Sequence, residues 1–210
     1  MDGILFYWLT WMMIIVLMFF FEPSKVKMTL LSFSLTSIIL SSWSVTFAYI
    51  DWNLALVPCL IFCIIIMMKL EKNQLFLGFF ISFFIANWIW MIHRVIYLEP
   101  VWLLMSPLWM IVIVVLPMLF ISLRNVYTRM YSLLLGTFQG IVLTSLMMTV
   151  ELGTAYTFHK VDSMLLLDIV SLSLFVIASW SVLEKVKVKI TENIILNNQY
   201  ISRKKTKINV

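Results

Sequence analysis

The fold is decided by residues 73–123, NQLFLGFFISFFIANWIWMIHRVIYLEPVWLLMSPLWMIVIVVLPMLFISL. Two apolar runs flank a short polar stretch, His93-Arg94-Val95-Ile96-Tyr97-Leu98-Glu99-Pro100. A continuous apolar run of about 20 residues is what a helix needs to cross the hydrocarbon of a bilayer. Neither run alternates with period two, which argues against a membrane barrel. The rest of the chain agrees: 63% of residues are hydrophobic and 12% charged, against about half and a quarter in soluble domains. A mean hydropathy of +1.04 leaves too little polar surface for 210 residues to meet water.

The same pattern recurs on both sides of that pair. It predicts an all-α polytopic membrane protein with seven transmembrane helices at residues 4–21, 28–48, 52–68, 74–92, 101–123, 131–150 and 164–183. A basic tail, 184–210, follows. Met1-Asp2-Gly3 carries no Lys or Arg, and no small-x-small pattern follows the first span, so that span reads as a retained helix and not as a signal peptide. Pro100 suits the first turn of the fifth helix, with Glu99 near its positive end. Pro107 and Pro117 are expected to kink it, since each removes a backbone hydrogen bond.

Lys and Arg accumulate on the cytoplasmic side of membrane proteins. With the amino terminus outside and the carboxy terminus inside, thirteen of the fifteen fall on that side, leaving only Arg94 and Lys160 outside. Seven of the nine tryptophans (Trp8, Trp11, Trp43, Trp52, Trp88, Trp90 and Trp102) then lie near outer helix ends. Interfacial anchoring and packing account for them, with an outward-opening aromatic cavity as the sharper alternative.

Ionisable groups inside a span are functional candidates because burying them is expensive. Asp168, about four residues into the seventh span, is the clearest, although reaching the interface would also explain it. Asn87 shares a helical face with Trp90 and Arg94 and could continue a polar path inward. Glu99, Glu151, His159 and Asp162 add ligand-type groups on the outer side, but without recognised zinc spacing. Gln139 could bond across helices, and Gly136-Thr137-Phe138-Gln139-Gly140 has the GxxxG spacing that permits close helix approach. Cys59 and Cys63, one turn apart, read as packing residues. Neither a hydrolase, zincin nor P-loop motif occurs, and helix seven has no internal lysine for a Schiff base.

The opening Gly3-Ile4-Leu5-Phe6-Tyr7-Trp8-Leu9-Thr10-Trp11-Met12-Met13, with the seven-span layout, resembles the YphA-type integral membrane proteins of Bacillus and its relatives. That resemblance implies a bacterial cell membrane. The family's molecular role is uncharacterised, so it transfers no active residues.

The function expected is a non-enzymatic scaffold or sensor-like subunit without catalytic, cofactor or metal residues. A small-solute or ion permease using Asn87, Arg94, Glu99 and Asp168 is the alternative. A membrane enzyme using His93 or His159 with nearby carboxylates is a third. The expected partners are the bilayer, anionic inner-leaflet lipids against the basic tail, and a membrane protein or second copy of the chain; nucleic acid is not among them.

Overall fold

A computed structural model describes residues 3–47, 50–152 and 163–208. The chain is all-α apart from one hairpin. In order come α1 (Ile4–Phe20), α2 (Lys25–Ser41), β1 (Ser44–Phe47), β2 (Ile50–Asn53), α3 (Leu56–Met67), α4 (Lys72–Leu98), a 3-10 turn (Pro100–Trp102), α5 (Pro107–Ser122), α6 (Val126–Leu152) and α7 (Ser163–Ile208). It divides into two compact units, Met1–Phe175 and Val176–Val210, with the boundary inside α7. Three helices are long and apolar enough to cross a membrane: Lys72–Leu98, Val126–Met148 and Ser163–Thr191. Four shorter apolar helices accompany them.

Local chemistry sets the ends. The Ser24 hydroxyl accepts the Lys27 amide at 3.2 Å, the usual serine cap, and opens α2. The Lys27 ammonium reaches back to the carbonyls of Met18 and Phe21, at 3.1 and 2.7 Å, neutralising the negative end of α1. Asn125 accepts the Tyr127 amide at 3.1 Å and starts α6. Arg129 donates from Nε to the Leu123 carbonyl at 2.7 Å and lies 4.8 Å from the Phe120 ring, closing α5 with a buried cation.

Several predicted boundaries move. The second span stops at Ser41 and not residue 48, because Ser44–Phe47 pairs antiparallel with Ile50–Asn53, Val45 opposite Trp52. Trp52 is therefore strand, and the third helix begins at Leu56, with Pro58 harmless in its first turn. The fourth helix runs to Leu98, so His93 and Arg94 lie within it and not in a turn. Pro100 opens the 3-10 turn, and Pro107, expected as a kink, is the first residue of α5. Ser106 is extended (ψ 143°), as the residue before a proline must be, which keeps the helix from running through it. Pro117 does lie inside α5. The sixth helix extends to residues 126–152, and the seventh continues through the tail to Ile208.

The packing centre is the seam between α4 and α6. A β-carbon at Gly136 would sit 2.8 Å from Ile85 Cβ and 2.9 Å from the Ser82 carbonyl oxygen. One at Gly140 would meet Ile89 at 3.1 Å, and one at Gly78 would meet the Tyr131 ring at 2.9 Å. The GxxxG face is thus filled by a helix of the same chain. Ser82 and Gln139 clasp the seam at 3.0 Å. The Ser82 hydroxyl also lies 2.7 Å from the Phe79 carbonyl. With the Gln139 amide turned so that its NH2 donates to Ser82, the serine proton is free for Phe79. α3 packs on α6 through Cys59, Cys63 and Ile66 against Tyr131 and Leu134, joined by Val170 of α7. Trp88 Nε1 donates to the Met110 carbonyl of α5 at 3.3 Å.

Outside this core the polarity inverts. Phe76, Phe79, Phe80, Phe83 and Phe84 of α4 are exposed, while Ser82, Ser132, Thr137, Thr144 and Ser145 are buried. Exposed rings along a helix are what a lipid solvent accepts.

The seam makes a differential prediction. In a helix Gly→Ala returns about 1 kcal/mol of propensity, whereas overpacking costs about 1–3 kcal/mol. At Gly136 the obstruction includes backbone, so G136A is expected to lower the thermal midpoint in detergent. G140A, facing only the Ile89 side chain, is expected to be near neutral. Equal midpoints for the two variants would contradict the packing argument.

Candidate functional site

One cluster of hydrogen-bonded polar groups in the first unit lies where α1 begins. Asp168, in the second turn of α7, is 4% exposed. Its Oδ2 accepts the Gly3 amide at 2.8 Å, and its Oδ1 accepts the Phe6 amide at 2.7 Å. The first N–H groups of a helix have no partner within it, and the helix dipole places partial positive charge there. A carboxylate from the last helix of the chain supplies both needs. Gly3 makes the approach possible: its φ is +91°, a left-handed conformation that other residues resist. A side chain there would also meet Met164 Sδ at 3.3 Å.

Next to this tie, Tyr7 OH donates to Ser41 Oγ at 2.7 Å, and Ser41 passes its own proton to the Ile38 carbonyl at 2.6 Å. Asn53, at the end of the hairpin, is buried. It donates from Nδ2 to the Ser41 carbonyl at 2.8 Å and accepts the Ala55 amide at 2.9 Å, so one side chain ends α2 and starts α3. The same Nδ2 lies 3.6 Å from Met164 Sδ. The start of α1, the end of α2, the hairpin and the start of α7 are therefore joined by one hydrogen-bonded network.

The profile of YphA-like integral membrane proteins matches residues 2–207. The chain belongs to that family. No curated protein and no solved structure matches it. Membership establishes an integral membrane protein in contact with lipid and specifies no activity.

Among the described residues, the other sequence candidates of this YphA-like chain are not drawn into the network. Asn87 donates to the Phe83 carbonyl of its own helix at 2.8 Å. His93 is buried in α4, with Nδ1 2.9 Å from the Ile89 carbonyl. Arg94 is exposed and stacks 6.0 Å from the Trp90 ring. Glu99 is exposed where α4 ends, its amide bonded to the Val95 carbonyl at 3.1 Å. Gln139 belongs to the α4–α6 seam. His159 and Asp162 lie outside the described residues, as does the side chain of Glu151. Among the described residues no group of three His, Cys, Asp or Glu could hold a metal ion. Sequence reasoning passed over Tyr7, Asn53 and Arg129. Asn53, directly ahead of the apolar run that starts at Leu54, carried a legible capping signal.

Loss of the carboxylate should act locally. D168A leaves two buried amides unpaired, each worth about 1–3 kcal/mol, and is expected to destabilise the fold by about 2–4 kcal/mol. D168N keeps one acceptor and should cost roughly half as much. Hydrogen exchange in detergent is expected to accelerate at the amides of Gly3 and Phe6 in both variants. Unchanged exchange there would refute the capping role.

Proposed function

We propose that this chain is a seven-crossing protein of a bacterial plasma membrane, amino terminus outside, that works as a non-enzymatic scaffold or sensor-like subunit. The observation that carries the reading is the use made of Asp168. The carboxylate that a permease would offer to a passing ion or solute spends both oxygens on the amides of Gly3 and Phe6. Asn87, the next member of the supposed path, spends its amide on its own helix. Asp168 ties the start of α1 to α7, and Asn87 is turned to its own backbone, which favours architecture over a pathway.

Support for seven crossings comes from the three long apolar helices and the four shorter ones. The shortest, α3, has twelve residues, about 18 Å at 1.5 Å per residue, against a core about 30 Å thick. Helical bonding continues past it: the amides of Met68, Lys69 and Leu70 bond to Ile64, Ile66 and Met67, and Val57 bonds to Leu54. Local thinning and interfacial anchoring cover the rest. The charge bias supports the orientation, with Lys25, Lys27, Lys69, Lys72, Arg124 and Arg129 on one side together with the tail. On this reading Lys185, Lys187 and Lys189 meet the anionic inner leaflet, at about 1 kcal/mol per basic residue.

Two measurements test the proposal. Phosphatase fusions are expected to be active after Leu103 and inactive after Arg124 and after Ile208; the reverse pattern would overturn the orientation. In proteoliposomes, ion and solute flux is expected to equal that of protein-free vesicles. A saturable flux lost in D168N, in protein that remains folded, would replace the scaffold reading with the permease.

A further inference from the structure

The seam between α4 and α6 advances four residues on each helix per contact: Ile85 meets Gly136 and Ile89 meets Gly140. One more step brings His93 level with Thr144. Both are buried, at 2% and 0% exposure. His93 Nδ1 lies 2.9 Å from the Ile89 carbonyl oxygen, which can only accept, so Nδ1 carries the proton. In the uncharged ring Nε2 is left with a lone pair, and it has no hydrogen-bond partner. Thr144 Oγ1 has none either, although Ser132 and Thr137 on the same helix return their protons to backbone carbonyls. One acceptor and one donor are thus left unused along the same stretch of the seam. Buried waters typically satisfy such groups with about three hydrogen bonds.

We propose that His93 and Thr144 form a hydrogen-bonding site between α4 and α6 for one small neutral molecule of the class of water and short alcohols. The molecule donates to His93 Nε2 and accepts from the Thr144 hydroxyl. This site rests on the helix register and on unused hydrogen-bonding capacity, and it is independent of the scaffold reading.

Solid-state NMR of histidine-15N protein in lipid nanodiscs tests it. His93 and His159 are the two histidines, so H159Q assigns the signals. The expected result is a His93 ring protonated at Nδ1, with Nε2 accepting a hydrogen bond and a cross-peak to slowly exchanging water. T144V should weaken that cross-peak several-fold, and T144S should retain it. Added 13C-methanol separates the sources: a methanol cross-peak replacing water identifies a solute site, and an unchanged water peak a dedicated water site. A ring protonated at Nε2, a direct Thr144–His93 bond without water, or a cross-peak untouched by T144V would overturn the proposal.

Discussion

At Gly136 the backbone of α6 lies so close to Ile85 and the Ser82 carbonyl that no β-carbon fits, and the rest of the chain is arranged around that contact. Lipid tails are as apolar as leucine, so apolar surface alone gives two helices no reason to meet in a bilayer. Close backbone approach does, because dispersion grows with the number of atoms brought into contact. Gly78, Gly136 and Gly140 supply the approach, and the Ser82–Gln139 bond fixes its register. α3 then packs on α6 through two cysteines, and α5 on α4 through Trp88.

The second constraint is that backbone polar groups have no water to turn to within hydrocarbon. A helix that starts there must find acceptors for its first amides. α1 finds them 162 and 165 residues away, in the carboxylate of Asp168. The arrangement also answers the cost of burying that carboxylate, since each oxygen has a donor and both lie at the positive end of a helix. Asn53 solves the same problem between α2 and α3 from one side chain. The last helix of the chain is thereby bound to the first.

How much of this was legible in the sequence follows from what each signal measures. Hydropathy located every helix, because each has an apolar run of its own. It misplaced the ends because Val45 and Phe47 are as apolar in a strand as in a helix, and because Val101–Met105 is apolar without being α-helical. The steric restriction that Pro107 places on Ser106 was the better guide to the start of α5. Where α1 begins, Asp168 was conspicuous by cost, yet its partners are backbone amides, which leave no side-chain signature. The one trace was Gly3, a single glycine just ahead of an apolar run. Arg129 was counted as a charge for topology and is also the group that closes α5.

Sequence and structure draw attention to the same few polar residues because, in lipid, architecture and function compete for one scarce supply. What separates the two roles is whether hydrogen-bonding capacity has been used up. Asp168 has given both oxygens, Asn87 is turned to its own backbone, and Gln139 is held in the seam. Asp168 starts a helix and Gln139 joins two, so the bonds these side chains make are bonds of architecture. His93 and Thr144 differ: they are as deeply buried, yet each holds an atom that no protein group satisfies. Leaving such atoms unpaired costs about 1–3 kcal/mol each, and a small molecule between α4 and α6 that bonds both would remove that cost.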